Sequence, residues 1–150
     1  MQNKHLEIQE LFSIIVPFRK AIVNALLNRE FSRKDRMSNF PYGCCDDSCD
    51  LLAYYLYDRF QINTSQINGV YRDRIPEEIT NHAWLLLDDI IRDITADQFS
   101  SLIENNNGVY VGVENEFYQQ LEDKQTLLNY DIRENQRLWN DYQIILQYLD

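Results

Sequence analysis

The middle of the chain holds two short apolar runs that meet at a pair of aspartates. Residues 82–87 and 90–95 are rich in aliphatic and β-branched side chains, and Asp88-Asp89 separates them. Two apolar runs of this length around a two-residue polar turn predict an antiparallel β-hairpin, although Asp-Asp is a weaker turn signal than Asn-Gly. The fold must therefore contain a small antiparallel sheet near its centre.

The segments on either side of this hairpin have mostly helical periodicity. Apolar residues recur at helix spacing over residues 5–27 and again over 45–60, which predicts a helix at each place. Pro17 should kink the first helix or restart it as a second one. The other elements we predict are strands at 67–71 and 109–113, a loop at 76–81, a turn at 105–108, and helical structure from residue 115 onward. This order, helices around a small sheet, predicts an α+β fold.

The length of the chain fits one domain. It has 150 residues, 45% of them hydrophobic and 25% charged, so it can bury a core without disulfides or a structural metal. We predict a single domain over residues 1–150. It would comprise a helical N-terminal part (1–40), a core with the functional residues (41–113) and a helical C-terminal part (114–150).

The charge and cysteine content exclude several classes of partner. The formal net charge of −10 repels phosphate backbones, so we expect no nucleic acid. We interpret one local group of basic residues, Arg29, Arg33, Lys34 and Arg36, as a solvated helix end rather than a binding patch.

No signal peptide and no apolar run of about 20 residues is visible, so we expect no membrane association. Three cysteines, two of them adjacent, make a poor disulfide framework and indicate a reducing, cytoplasmic setting.

Cys45 stands where a cysteine could be activated. It follows a turn marked by Pro41 and Gly43 and opens the second predicted helix. Free N–H groups and the partial positive charge at a helix N-terminus favour a thiolate, which is the reactive form of cysteine. Asp46 and Asp47 would oppose this, so a neighbouring imidazolium would have to supply most of the activation. The alternative is that Cys45 is a small core residue.

His82 and Asp93 are the residues that could complete a catalytic site. The chain has one other histidine, His5, which lies in the predicted N-terminal helix. In a hairpin with an even-numbered loop, the numbers of two paired residues sum to an odd value. The sum of 82 and 93 is odd, so His82 and Asp93 share a face of the sheet as cross-strand or diagonal neighbours. A carboxylate in an apolar strand needs a partner, and an imidazole N–H would satisfy it and fix the ring tautomer. The alternatives are a structural histidine and a solvated Asp93 on an edge strand.

Three motifs together resemble the transglutaminase-like superfamily. Residues 43–52 (GCCDDSCDLL) resemble the sequence around its nucleophile, residues 82–84 (HAW) its histidine strand, and residues 93–95 (DIT) its aspartate strand, in the same order. The stretch from residue 82 to 99 also resembles small bacterial members of this superfamily. The resemblance implies a papain-like (transglutaminase-like) fold, in which the nucleophile helix packs on a small antiparallel sheet with flanking helices.

The resemblance also assigns roles to residues. It implies that Cys45, not Cys44, is the nucleophile, that His82 is the base and that Asp93 orients His82, with Cys49 as a packing residue. The implied activity is thiol-dependent amide hydrolysis or acyl transfer. Peptidase, deamidase and cross-linking activities all remain open. For the oxyanion hole, the backbone N–H of Cys45 is one candidate donor. Asn39 is the other, because it lies six positions before Cys45, where papain-like enzymes place a glutamine.

Two other classes of function remain as alternatives. The chain could be a non-catalytic binding or adaptor module that retains the papain-like fold, since fold does not settle function. A metal site built from Cys44, Cys45, Cys49 and His82 does not match zinc-site spacings. We therefore expect no metal and no cofactor. The expected partner is a peptide or protein substrate, with basic substrates favoured by the acidic surface, and the sequence leaves the oligomeric state open.

Overall fold

The computed structural model describes residues 4–72, 79–99 and 102–149, and in these ranges the chain is a mixed α+β structure. The described helices are α1 (Lys4–Leu27), α2 (Cys45–Phe60), α3 (Glu116–Gln120) and α4 (Gln136–Leu146). The described strands are β1 (Ser65–Arg72), β2 (Ile79–Leu87), β3 (Ile90–Asp93), β4 (Tyr110–Gly112) and β5 (Glu122–Leu127). Short 3₁₀ turns lie at Arg36–Asn39, Ala96–Phe99 and Ile132–Glu134.

The strands form one antiparallel sheet in the order β4-β3-β2-β1-β5. Leu87 pairs with Ile90 at the end of the central hairpin, so Asp88 and Asp89 form its two-residue loop. Both aspartates have positive φ angles, 53° and 63°. Positive φ at both central residues is typical of the turn whose twist matches a β-hairpin. The hairpin prediction is therefore confirmed.

Several boundaries differ from the sequence prediction. Residues 122–127, predicted to be helical, form the edge strand β5, in which every side chain is exposed. A strand exposed on both faces has no alternation of apolar and polar residues, so periodicity could not reveal it. The predicted loop at 76–81 is wrong at residues 79–81, which belong to β2, and its remainder lies outside the described residues. The strand predicted to end at residue 95 ends at Asp93.

The first and second helices differ in how well they were predicted. α1 runs as one helix from Lys4 to Leu27 with Pro17 inside it, so a restart as a second helix is wrong, and the alternative of a kink at Pro17 stays a prediction. α2 has the predicted bounds, Cys45–Phe60. Among the described residues, no helix combines the length and the apolar character needed to cross a membrane.

The sheet separates two hydrophobic clusters. The larger cluster contains Leu85 of β2 together with buried side chains of α1, α2 and α4. The smaller cluster contains Trp84, Phe117 and Tyr118. Because successive residues of a strand point to opposite faces, Leu85 and Trp84 mark the two sides of the sheet. His82 has the parity of Trp84 and therefore lies on the side of the smaller cluster.

A buried charge network fixes the start of α2 against α4. Arg137 of α4 donates through Nη1 to Asp35 Oδ1 (2.8 Å) and to Asp47 Oδ2 (2.9 Å). Arg36 donates through Nη2 to Asp47 Oδ1 at 2.8 Å. Asp35, Asp47 and the nearby Asp141 are all buried. Burial and the adjacent Asp35 carboxylate raise the pKa of Asp141 above the ordinary range of a carboxyl.

We expect Asp141→Asn to stabilise the protein at alkaline pH and to change little at pH 5. The folded-state pKa of Asp141 lies above its unfolded-state value, so folding takes up a proton and stability falls as pH rises above the ordinary carboxyl range. An amide cannot ionise, so the free energy of unfolding should rise by about 1–2 kcal/mol at pH 8.5. Urea unfolding at both pH values measures this. A variant equally destabilised at both pH values would show that the raised pKa is wrong.

Candidate active site

The N-terminus of α2 presents one accessible cysteine. Cys45 is half-buried, whereas Cys44 and Cys49 are buried, and all three are free thiols. Burial raises the pKa of Cys44 to about 12 and that of Cys49 well above its ordinary value. Buried neutral thiols are poor nucleophiles, so Cys45 is the cysteine that this end of the helix makes available for chemistry.

The loop before α2 determines where the helix begins. Gly43 has a φ of 71°, in the left-handed region that favours glycine. Cys44 follows as the residue before the first helical turn, and its carbonyl accepts the N–H of Ser48 at 2.8 Å. The backbone N–H groups at the start of α2, including that of Cys45, precede the helical hydrogen-bond ladder. Cys45 is thus the first residue of α2, as the sequence predicted.

His82 and Asp93 are joined by a short buried hydrogen bond. His82 Nε2 lies 2.6 Å from Asp93 Oδ2, and both side chains are almost wholly buried (0% and 1% exposed). Arg92 pairs with Leu85 across the hairpin, which makes Asp93 a diagonal neighbour of His82 on the same face of the sheet. The predicted juxtaposition of these two residues is therefore confirmed, and the alternative of a solvated Asp93 is wrong.

Every lone pair of Asp93 has a donor. Besides His82, Oδ2 accepts the hydroxyl of Tyr118 at 2.8 Å. Oδ1 accepts the backbone N–H of Thr95 at 2.9 Å and its hydroxyl at 3.3 Å. A carboxylate that accepts four hydrogen bonds cannot rotate without breaking several of them, so the position of the oxygen that faces His82 is fixed.

The second ring nitrogen of His82, Nδ1, is not bound by Asp93. Nδ1 is buried and has no hydrogen-bond partner of normal geometry among the described residues. The pKa of His82 is raised to about 9. Burial alone lowers this pKa, but the charge and the hydrogen bond of Asp93 raise it by more. The nearby Cys45 thiol adds a smaller contribution that also raises it. Since Nε2 is held by Asp93, Nδ1 is the ring nitrogen that has no partner in the described part of the chain. Cys45 Sγ also lies 4.0 Å from the carbonyl oxygen of Asn81, the residue before His82.

Aromatic rings enclose the imidazole. The His82 ring centroid lies 5.0 Å from that of Phe99, 5.8 Å from that of Trp84 and 6.1 Å from that of Phe117. Trp84 is buried. These rings keep water from the His82–Asp93 hydrogen bond, which strengthens its electrostatic component.

Asn39, the other predicted oxyanion donor, lies apart from these contacts. It is exposed at the end of the 3₁₀ turn Arg36–Asn39 and lines a groove together with Leu26, Arg29 and Arg33. Its backbone carbonyl accepts the N–H of Tyr42 at 2.8 Å. Among the described hydrogen bonds, none joins the Asn39 side chain to Cys45, and its role as a donor stays a prediction.

Sequence reasoning did not single out Tyr118 or Thr95. The Thr95 contact had a signal, because an aspartate side chain commonly accepts the N–H of the residue two positions on. The Tyr118 contact had none, since it joins residues 25 positions apart. Tyr118 reaches Asp93 from α3, a helix of five residues whose start is capped by the side chain of Asn115.

Two further features bear on what this site could bind. Within the described ranges, no group of three or more His, Cys, Asp and Glu side chains is arranged to hold a metal ion. A groove of about 1120 Å³ lies between α1 and residues 103–109, and neither Cys45, His82 nor Asp93 lines it.

No protein-family model matches the chain, and neither a curated protein nor a solved structure matches it.

Proposed function

We propose that this chain is a thiol-dependent amide hydrolase or acyl transferase with a papain-like (transglutaminase-like) fold. Cys45 would be the nucleophile, His82 the base and Asp93 the group that orients His82. One observation carries the proposal: Asp93 holds His82 Nε2 in a buried 2.6 Å hydrogen bond, which leaves Nδ1 without a partner in the ranges that the structure describes. The Cys45 sulfur at the start of α2 lies 4.0 Å from the carbonyl oxygen of Asn81, the residue before His82. This is the arrangement in which an imidazole can take up a thiol proton.

The proposed reaction has two halves. In the first, His82 Nδ1 accepts the proton of Cys45 Sγ, and the sulfur forms a bond to the carbonyl carbon of an amide. The imidazolium then donates the proton to the leaving nitrogen as the C–N bond breaks, which leaves a thioester on Cys45. In the second half, water or an amine loses a proton to Nδ1 and attacks the thioester. Cys45 leaves as the thiol, and the product is an acid or a new amide.

The electrostatics of His82 support this role. Its raised pKa of about 9 favours the imidazolium that forms when Nδ1 takes up the thiol proton, and this cation stabilises the Cys45 thiolate. The first N–H groups of α2 add a smaller favourable field. The backbone N–H of Cys45 is our candidate for holding the carbonyl oxygen as it becomes negative, and Asn39 remains a second candidate.

The proposed substrate is a peptide or protein, with basic residues favoured. Asp46, next to the nucleophile, has a side chain that is 46% exposed, and the whole chain carries a net charge of −10. Such a field attracts cationic substrates. Peptidase, deamidase and cross-linking activities share the first half-reaction and differ only in the second. Because the reaction needs a reduced Cys45, we propose that the protein works in a reducing compartment such as the cytoplasm.

The test is the rate at which Cys45 reacts with iodoacetamide. At pH 6 we expect Cys45 of the wild-type chain to be alkylated at least ~10-fold faster than in His82→Gln, because the variant has no imidazolium to stabilise the thiolate. Peptide mapping assigns the label to Cys45, and Cys45→Ser should remove it. Equal rates in the wild-type chain and His82→Gln would contradict the proposal and favour a non-catalytic binding module.

A further inference from the structure

We propose that Tyr118 is a positioning residue that acts through Asp93 to limit how strongly His82 holds its proton. Tyr118 and His82 donate to the same carboxylate oxygen, Oδ2 of Asp93, at 2.8 and 2.6 Å. The inference refines the proposed function and depends on it for its catalytic consequence. Its effect on His82 can be measured without any enzymatic activity.

The geometry makes the two donors compete. Thr95 occupies the other oxygen of Asp93 with two hydrogen bonds, so the carboxylate cannot turn to give His82 an oxygen of its own. Tyr118, His82 and Asp93 are all buried, so water cannot substitute for either donor. The negative charge on Oδ2 is therefore shared between the hydroxyl and the imidazole.

The direction of the effect follows from this sharing. A hydroxyl that donates to a carboxylate stabilises its charge and weakens its attraction for a second donor. Removing the hydroxyl leaves more of the charge to the imidazolium, so His82 should bind its proton more tightly. Tyr118 itself stays a neutral donor, because burial and the charge of Asp93 raise its pKa above its ordinary value.

Tyr110 provides a matched control. Its ring stacks near that of Tyr118, with centroids 5.3 Å apart, so both tyrosines contribute to the same aromatic cluster. The Tyr110 hydroxyl, however, donates to the backbone carbonyl of Val113 and not to Asp93. Tyr118→Phe and Tyr110→Phe therefore remove the same atom from neighbouring rings, and one of them alone removes a donor to the carboxylate.

The experiment is an NMR titration of the His82 ring in the wild-type chain and the two variants. The chain has two histidines, so His5→Gln assigns the two imidazole signals. We expect the pKa of His82 to rise by about half a unit to one unit in Tyr118→Phe. The reason is that Tyr118 and His82 share the stabilisation of one charged carboxylate oxygen, and the imidazolium gains part of the share that the hydroxyl gives up. Tyr110→Phe should leave it unchanged. A pKa in Tyr118→Phe that is unchanged or lower would overturn the inference.

Further readouts keep the inference separate from the proposed function. If Cys45 is a nucleophile that the imidazolium activates, the alkaline limb of its alkylation profile, where the imidazolium is lost, should move to higher pH in Tyr118→Phe. A His82 shift with an unreactive Cys45 would contradict the proposed function alone, and a reactive Cys45 without a His82 shift would contradict the inference alone. If Tyr118→Phe fails to fold, the wild-type hydroxyl proton decides: slow exchange with an NOE to the His82 ring supports the inference, and rapid exchange contradicts it.

Discussion

Replacing Asp93 with alanine should lower the free energy of unfolding by about 3–5 kcal/mol, a large part of the stability of a chain this size. The substitution removes the acceptor of four buried donor groups, which belong to His82, Tyr118 and Thr95. Each donor left without a partner in the interior carries a desolvation cost of about 1–3 kcal/mol. The losses are not additive, because the side chains can rearrange around the space that alanine leaves.

Urea denaturation of the Asp93→Ala variant at pH 7 measures this loss. The control is Asp46→Ala, which removes a half-exposed carboxylate from α2 and should change stability by no more than about 0.5 kcal/mol. A loss below about 1 kcal/mol in Asp93→Ala would contradict the four-donor arrangement, because buried donors cannot lose their acceptor at so small a cost. That result would also remove the basis for an oriented imidazole.

The central hairpin and the pairing of His82 with Asp93 could be predicted because they depend on local rules. A two-residue loop fixes the register of the strands it joins, and the register fixes which side chains share a face. The prediction needed only the positions of Asp88 and Asp89 and the alternation of a strand. The bounds of α2 were equally local, because a Pro/Gly turn precedes it and the apolar stripe continues to Phe60.

What the sequence missed depends on tertiary packing. The strand β5 has no alternation of apolar and polar residues from which it could be predicted. It pairs with β1 through the backbone, and its six side chains are exposed. Pro17 remains inside α1, where packing of Phe18 and Ile22 in the larger cluster outweighs the local preference for a break. Tyr118 meets Asp93 only because α3 is placed over the smaller cluster, and no spacing in the sequence encodes that.

The sequence and the structure distinguish Cys45 from Cys44 on different grounds. From the sequence, Cys45 rather than Cys44 was favoured by its place at the start of a predicted helix and by the resemblance to transglutaminase-like proteins. In the structure the two differ in burial, and burial raises the pKa of Cys44 to about 12. The single-domain organisation and the papain-like fold have no comparable test here and stay predictions.

We expect the wild-type chain to form an acetyl thioester when treated with p-nitrophenyl acetate, and the rate to fall about 10²–10⁴-fold in His82→Gln. This activated ester requires no specific substrate cleft, so it tests the first half-reaction whatever the natural substrate is. Loss of His82 removes the atom that accepts the thiol proton and the charge that stabilises the thiolate. Cys45→Ser should also abolish thioester formation, because serine has no sulfur. Any acetyl ester on its hydroxyl should form far more slowly, because the hydroxyl is a much weaker nucleophile than a thiolate.

Release of p-nitrophenol gives the rate, and mass spectrometry of the peptide that carries Cys45 locates the acetyl group. Cys44→Ser is the matched control, because it alters the adjacent, buried cysteine and places a residue that favours the position before a helix. It should acylate at the wild-type rate. If His82→Gln instead acylates as fast as the wild-type chain, the imidazole does not activate Cys45, and the buried His82–Asp93 pair would be a structural feature of a binding module.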